Sequence, residues 1–133
     1  MNNEEVTEWM TIADSDLDSA KILNQATRKH YEIICYHCAQ ATEKYLKAYL
    51  VCNDIMPEKT HNLPYLNSLC IEMNNDFQNI ETACNFLDKF ANDIRYPHKY
   101  EVTEGDVNFA LDAVEKISNF KPVSELRNLS ELT

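Results

Sequence analysis

Apolar residues recur at intervals of three and four along the first half of the chain, which is the periodicity of one face of an α-helix. A first helix is predicted over about residues 4–27, with the apolar stripe Val6, Trp9, Met10, Ala13, Leu17, Ala20 and Leu23. A second helix, predicted over about residues 31–53, is apolar on more than one side. Because a helix that is apolar nearly all round lies at the centre of a fold or offers a second face to a partner, we expect one of these two roles for it.

Two further helices are predicted after a loop at residues 53–62. Pro64 suits the first turn of a short helix, which Asn74-Asn75-Asp76 is expected to end. A longer helix is predicted from about residue 76 to residue 93. It should end before Pro97, because the residue preceding a proline is pushed out of the α region.

Thr103 is the predicted cap of a last helix, which Pro122 is expected to stop. The tail beyond it adds a turn of helix or lies disordered. Short connections favour antiparallel neighbours, so the predicted fold class is all-α, an up-down antiparallel bundle of four main helices plus a short helix. We expect this bundle to form one domain over residues 1–121, followed by a C-terminal tail over residues 122–133.

Composition agrees with an all-α fold and excludes several classes of binding site. Gly105 is the single glycine among 133 residues. A glycine-rich phosphate loop and a dinucleotide-binding fingerprint each need several glycines, so neither is present. The net charge is −10, which disfavours nucleic-acid binding through the field of the whole molecule. A local cationic site is compatible with that charge.

The five cysteines are an odd number, and no secretory signal opens the chain. We therefore expect reduced thiols and a cytoplasmic location rather than a disulfide framework. Cys35-Tyr36-His37-Cys38 has the spacing of half a zinc site, but no second Cys-x-x-Cys or His pair follows it. Core packing of these thiols is expected, with no metal and no cofactor. No apolar run reaches the roughly 18 residues of a membrane helix, so no membrane is expected among the partners.

Residue types suited to chemistry are concentrated in two places. One is a polar strip on the second helix, formed by Gln40, Glu43, Lys44 and Lys47. The other is the loop after the longer helix, which brings together Arg95, Tyr96, His98, Lys99 and Tyr100. Arginine binds phosphate with a planar fork, histidine transfers protons near neutral pH, and tyrosine stacks on a base or accepts a group on its hydroxyl. The alternative is an ordinary helix C-terminus, where cations interact favourably with the helix dipole.

Four stretches carry a family resemblance: residues 13–20, residues 38–48, Thr60-His61-Asn62-Leu63 with Leu66, and Ile94-Arg95-Tyr96-Pro97. Together they resemble the HEPN family, named for higher eukaryotes and prokaryotes nucleotide-binding, and within it an Arg-Tyr-Pro subgroup. The resemblance covers about residues 5–120. It implies a four- or five-helix up-down bundle and a homodimer.

Many HEPN proteins are metal-independent RNases, whose motif is an Arg, a polar residue and a His four to six residues after the Arg. In this chain Tyr96 follows Arg95, and only two residues separate Arg95 from His98. In this respect the chain looks more like the non-catalytic members that are encoded beside a small nucleotidyltransferase. In some toxin–antitoxin pairs the nucleotidyltransferase adenylylates a Tyr two residues after the His, which is the position of Tyr100 here.

The resemblance therefore implies a HEPN-domain protein that binds a nucleotide or is the partner subunit of a small nucleotidyltransferase in a toxin–antitoxin type pair. The nucleotide- or phosphate-binding residues would be Arg95, Tyr96, Lys99, Lys44 and Lys47, with Tyr100 as the residue modified. Two alternatives stay open. One is a metal-independent HEPN RNase toxin in which Arg95 and His98 are catalytic, and the other is a non-catalytic interaction scaffold.

Overall fold

The structure of the chain, a computed structural model, describes residues 2–92 and 101–132, with side-chain environments through residue 129. Its elements are α1 (Asn3–Asn24), α2 (Tyr31–Cys52), α3 (Leu63–Met73), a 3-10 helix (Asn75–Ile80), α4 (Glu81–Asp88), α5 (Glu104–Asn119), α6 (Lys121–Ser124) and a second 3-10 helix (Glu125–Leu132). No strand occurs in these two ranges, so the predicted all-α fold class is confirmed.

The long helices form an up-down arrangement. α1 and α2 run antiparallel, since Trp9 near the start of α1 lies beside Lys47, whereas Asp16 further along α1 contacts His37. α4 and α5 run antiparallel in the same way. Short connections between successive helices produce this arrangement, as expected from the sequence.

α2 lies at the centre of the bundle and contacts α1, α3, α4, α5 and α6. Its largest fully buried side chains are Ile34, Tyr45, Leu46 and Leu50. The prediction that a helix apolar nearly all round occupies a central position is confirmed. Within the described ranges, no helix has the length and apolar character that crossing a membrane requires.

Side-chain caps fix where α3 and α5 begin. Asn62 Oδ1 accepts a hydrogen bond of 3.0 Å from the backbone N–H of Tyr65, and Pro64 lies in the first turn of α3 as predicted. Thr103 forms the predicted cap of α5. It does so as a reciprocal capping box with Asp106, through hydrogen bonds of 3.1 and 3.0 Å.

The helix predicted over residues 76–93 is wrong in part, because residues 75–80 form a 3-10 helix and α4 begins only at Glu81. Asn67 Nδ2 donates a hydrogen bond of 3.2 Å to the carbonyl oxygen of Phe77. This bond occupies an acceptor that the next turn of an α-helix would use. Phe77 and Ile80 are fully buried, and their spacing of three suits a 3-10 helix, whose side chains eclipse at that interval.

The residues after α5 form α6 and the second 3-10 helix, which pack against α1 and α2. Val123 and Leu126 are buried in this contact. The rings of Phe120 and Phe77 meet edge to face with centroids 5.0 Å apart. Of the two alternatives left open for the tail, the helical one is observed up to Leu132.

Candidate functional site

Five of the predicted site residues lie outside the described residues, namely Arg95, Tyr96, His98, Lys99 and Tyr100. The structure does describe how the bundle holds both ends of the segment that contains them. Phe90 and Ala91 are buried on the α4 side, and Val102 packs against the core on the α5 side. Between the two sides, Lys89 Nζ lies 3.6 Å from Asp106 Oδ1. Both ends of the segment are therefore fixed at the same end of the bundle.

A cation and a partly exposed aromatic surface lie beside these ends. Lys89 Nζ lies 4.2 Å from the ring centroid of Phe86 and 5.1 Å from that of Phe90. The ring centroids of Phe86 and Phe109 are 4.2 Å apart, and Phe109 is half exposed. Exposed cation–π contacts contribute roughly 0.5–1 kcal/mol, so the rings help to hold the ammonium group in place.

Lys44, a predicted phosphate-binding residue, belongs to a polar cluster between α1 and α2. Its Nζ donates hydrogen bonds of 2.9 Å to Asp16 Oδ2 and of 2.9 Å to Gln40 Oε1. His37 Nδ1 lies 3.2 Å from the other carboxylate oxygen of Asp16. The amide nitrogen of Gln40 is buried and has no hydrogen-bond partner among the described residues. The Lys44 side chain is 18% exposed, so one of its three N–H groups can still reach a ligand.

Lys47, the second predicted phosphate-binding residue on α2, belongs to a separate cluster. Its Nζ donates a hydrogen bond of 3.0 Å to Glu43 Oε2, and both side chains are almost completely buried. The other carboxylate oxygen of Glu43 lies 2.6 Å from His61 Nδ1. The ring of Trp9 flanks the ammonium group, with its centroid 5.8 Å from Nζ. Glu43 thus joins the loop before α3 to the core face of α2.

A third polar cluster, which the sequence analysis did not find, ties the C-terminal 3-10 helix to α1 and α2. The guanidinium of Arg127 binds both carboxylate oxygens of Asp14, at 2.9 and 2.6 Å. It also donates to the hydroxyl and the carbonyl oxygen of Ser118, at 2.7 and 3.0 Å. The phenol of Tyr45 donates a hydrogen bond of 2.6 Å to Asp14. Since Arg127 comes 113 positions after Asp14, no local sequence pattern points to this pairing.

The third cluster shifts the acidity of each of its members. Burial alone would raise the pKa of Asp14, but hydrogen bonds from Arg127 and Tyr45 outweigh it and hold the pKa below its ordinary value. Burial and the hydrogen bond to Asp14 raise the pKa of Tyr45 well above its usual range. The hydrogen bond to Asp14 raises the pKa of Arg127. Asp14 is therefore ionised, and Tyr45 and Arg127 are protonated, at neutral pH.

A HEPN domain profile matches residues 6–126 of the chain. The chain belongs to the HEPN family. This match confirms the family resemblance in the sequence, including the stretches on α1 and α2.

Two solved structures resemble this HEPN chain. The crystal structure of ST0689, an archaeal HEPN homologue, aligns with a TM-score of 0.70 and 25% sequence identity, over 91% of this chain and 97% of that one. The crystal structure of TT1696 from Thermus thermophilus aligns with a TM-score of 0.75 and 23% identity, over 95% of this chain and 99% of that one. The second likeness supports the fold alone. A comparison with curated protein sequences finds no match.

The Cys-x-x-Cys of this HEPN domain lies in the core of α2. Cys35 and Cys38 are completely buried, as expected for thiols that pack as small apolar groups. Burial raises the pKa of Cys35 to about 12 and raises that of Cys38 further. Both thiols are therefore protonated and unreactive at neutral pH. Among the described residues, no group of three or more His, Cys, Asp or Glu side chains is placed to hold a metal ion.

Proposed function

We propose that this HEPN chain binds the phosphate groups of a nucleotide and acts, as a homodimer, as the partner subunit of a small nucleotidyltransferase in a toxin–antitoxin type pair. Arg95 and Lys99 bind phosphate, and Tyr96 stacks beside them. Tyr100 accepts the nucleotidyl group that the partner transfers. Because Gly105 is the single glycine, phosphate binding depends on side chains rather than on a glycine-rich loop.

The observation that carries this proposal is the pairing of three described lysines: the two that the sequence predicts to bind phosphate, and Lys89 beside the end of the candidate segment. Lys44, Lys47 and Lys89 each have a carboxylate oxygen within 3.6 Å of their Nζ. An ammonium that already has a carboxylate partner gains less from a phosphate. In a chain with a net charge of −10, this pairing favours the concentrated cations Arg95 and Lys99 as the main anion-binding groups.

The two lysines on α2 contribute unequally in this proposal. The Lys44 side chain is 18% exposed, and its bonds to Asp16 and Gln40 leave one of its three N–H groups for a phosphate. The Lys47 side chain is only 7% exposed, so a phosphate would first have to displace Glu43 from it. We therefore expect Lys44 to add a contact and Lys47 to add little.

Calorimetric titration of the full chain with ATP, ADP and AMP tests the binding part. Arg95→Ala should weaken binding by about tenfold or more, which is about 1.4 kcal/mol. Lys44→Met should weaken it by a smaller factor. Lys121→Ala, which changes an 86% exposed lysine at the opposite end of α5, should have no effect. If the unmodified chain gives no binding heat, the nucleotide-binding part of the proposal is rejected and only the partner part remains.

Co-expression with the product of the neighbouring gene tests the partner part. Intact-mass measurement should show one added nucleoside monophosphate, which Tyr100→Phe should prevent. Tyr96→Phe, which removes another hydroxyl of the same segment, is the matched control and should leave the added mass unchanged. An unmodified chain, or an adduct that persists in Tyr100→Phe, would contradict Tyr100 as the acceptor.

A further inference from the structure

His61 is held by a buried carboxylate while its ring remains open to solvent. The distance from His61 Nδ1 to Glu43 Oε1 is 2.6 Å. The His61 side chain is 53% exposed, whereas that of Glu43 is 5% exposed. An ionised carboxylate only accepts hydrogen bonds, so Nδ1 carries the proton and Nε2 carries the free electron pair. The contact therefore fixes both the tautomer and the orientation of the imidazole.

Lys47 supplies the positive charge that the buried Glu43 carboxylate needs, and it leaves free the oxygen that binds His61. Its ammonium binds Glu43 Oε2 at 3.0 Å, on the oxygen that His61 does not use. A buried carboxylate needs such a countercharge to remain ionised. An ionised carboxylate that accepts from Nδ1 increases the electron density of the ring, and so increases the nucleophilicity of Nε2.

The surroundings of His61 favour an electrophile that carries negative charge. His61 directly precedes Asn62, the N-cap of α3, so the residue lies at the positive end of that helix dipole. Lys59, two residues earlier in the same loop, is exposed. A phosphoryl group combines an electrophilic phosphorus with anionic oxygens and matches both features.

We propose that His61 is an acceptor site for a phosphoryl group. The lone pair of Nε2 attacks phosphorus, and an N–P bond forms. The bond from phosphorus to the leaving group of a reactive phosphoryl donor breaks, and the leaving group departs with the bonding electron pair. Nδ1 keeps its proton and its hydrogen bond to Glu43 throughout, and the carboxylate balances the positive charge that the attack places on the ring.

The chain contains its own controls for this reactivity. His30 is exposed, and its side chain makes no capping hydrogen bond to α2. If exposure alone decided reactivity, His30 would react at least as fast as His61. His37 has a carboxylate neighbour in Asp16, but at 3.2 Å and with a less exposed ring. The Asp16–His37 pair is thus a matched position for substitution.

Phosphoramidate, a small phosphoryl donor that releases ammonia, is the probe for the test. The full chain is treated at neutral pH and sampled over time, and each histidine is followed by peptide mass mapping under conditions that preserve the N–P bond. Cleavage after Lys59 and Lys89 leaves His61 as the single histidine of its peptide. Cleavage after Glu32 separates His30 from His37.

We expect His61 to be phosphorylated about tenfold or more faster than His30, because the hydrogen bond from Nδ1 to the Glu43 carboxylate stabilises the positive charge that develops on the ring during the attack. Glu43→Gln should bring the two rates together, whereas Asp16→Asn should leave the rate at His61 unchanged. Equal rates at His61 and His30 in the unmodified chain would overturn the proposal, and this comparison stands even if Glu43→Gln fails to fold. An unchanged advantage of His61 in a folded Glu43→Gln variant would overturn it as well.

Discussion

The pairing of Arg127 with Asp14 makes a quantitative prediction about the C-terminal segment. Arg127→Ala removes four hydrogen bonds of 2.6–3.0 Å, two of them to the carboxylate of Asp14. A hydrogen bond to a charged group contributes roughly 1.5–3 kcal/mol. Here the side chains of Arg127 and Asp14 are 29% and 39% exposed, so water screens the pair and solvates Asp14 again after the substitution. We therefore expect the free energy of unfolding to fall by about 2 kcal/mol, well below the sum of the separate bonds.

Urea unfolding followed by circular dichroism measures this loss, which corresponds to a fall in Tm of about 6 °C. Arg127→Lys keeps the charge but not the planar fork, so it should lose roughly 1 kcal/mol. Lys121→Ala is the control, since this lysine on α6 has only a 3.9 Å contact with Glu125 and should change stability by less than about 0.5 kcal/mol. A loss below about 0.5 kcal/mol for Arg127→Ala would refute the view that Arg127 anchors the segment.

Three further predictions concern the stability of the protein at low pH, the hydrogen bond from Asn67 to Phe77, and cleavage of RNA. Folding lowers the pKa of Asp14 from its unfolded value of 3.8. The contribution of Asp14 to the free energy of unfolding is therefore full above pH 3.8 and is lost as the pH falls through the lower folded pKa. In acid unfolding, the free energy of unfolding of Asp14→Asn should fall less over this pH range than that of the unmodified chain. Asn67→Ala removes one hydrogen bond to the buried carbonyl of Phe77 and should cost about 1 kcal/mol in urea unfolding, and a cost near zero would contradict a stabilising role for this bond. The purified protein should leave cellular RNA intact with or without EDTA, and cleavage that His98→Ala abolishes would instead support the RNase alternative.

The main features of the fold follow from the sequence because they depend on local patterns. The stripe through Val6 and Leu17 predicts α1, and the near-absence of a polar face predicts a central α2. Thr103 also marks the start of α5, since a capping box is complete within four residues. The first 3-10 helix is not predicted, because the contacts that accompany it are tertiary: the burial of Phe77 and Ile80 and the bond from Asn67 to the carbonyl of Phe77.

The polar clusters are less predictable from the sequence. The strip on α2 correctly brings Gln40 and Lys44 together, since they are one helical turn apart. The i,i+4 spacing also predicts the pairing of Glu43 with Lys47, which the structure confirms. The sequence does not reveal that Asp16 neutralises Lys44, nor that His61 reaches Glu43 from a loop. These partners lie on other elements, so the packing of the helices determines which residues meet. The pairing of Asp14 with Arg127 cannot be predicted from the sequence for the same reason.

The anchoring of the 93–100 segment has a consequence for how this scaffold can evolve. Its two ends are held by the burial of Phe90, by the packing of Val102 and by the contact of Lys89 with Asp106, none of which depends on the length of chain between them. Doubling the length of such a loop costs only about 0.6 kcal/mol. We therefore expect the described contacts of the bundle to tolerate insertions or deletions between Arg95 and His98. The RNase motif and this chain differ in the number of residues between the Arg and the His. A few insertions can change that number while the helices on either side stay the same.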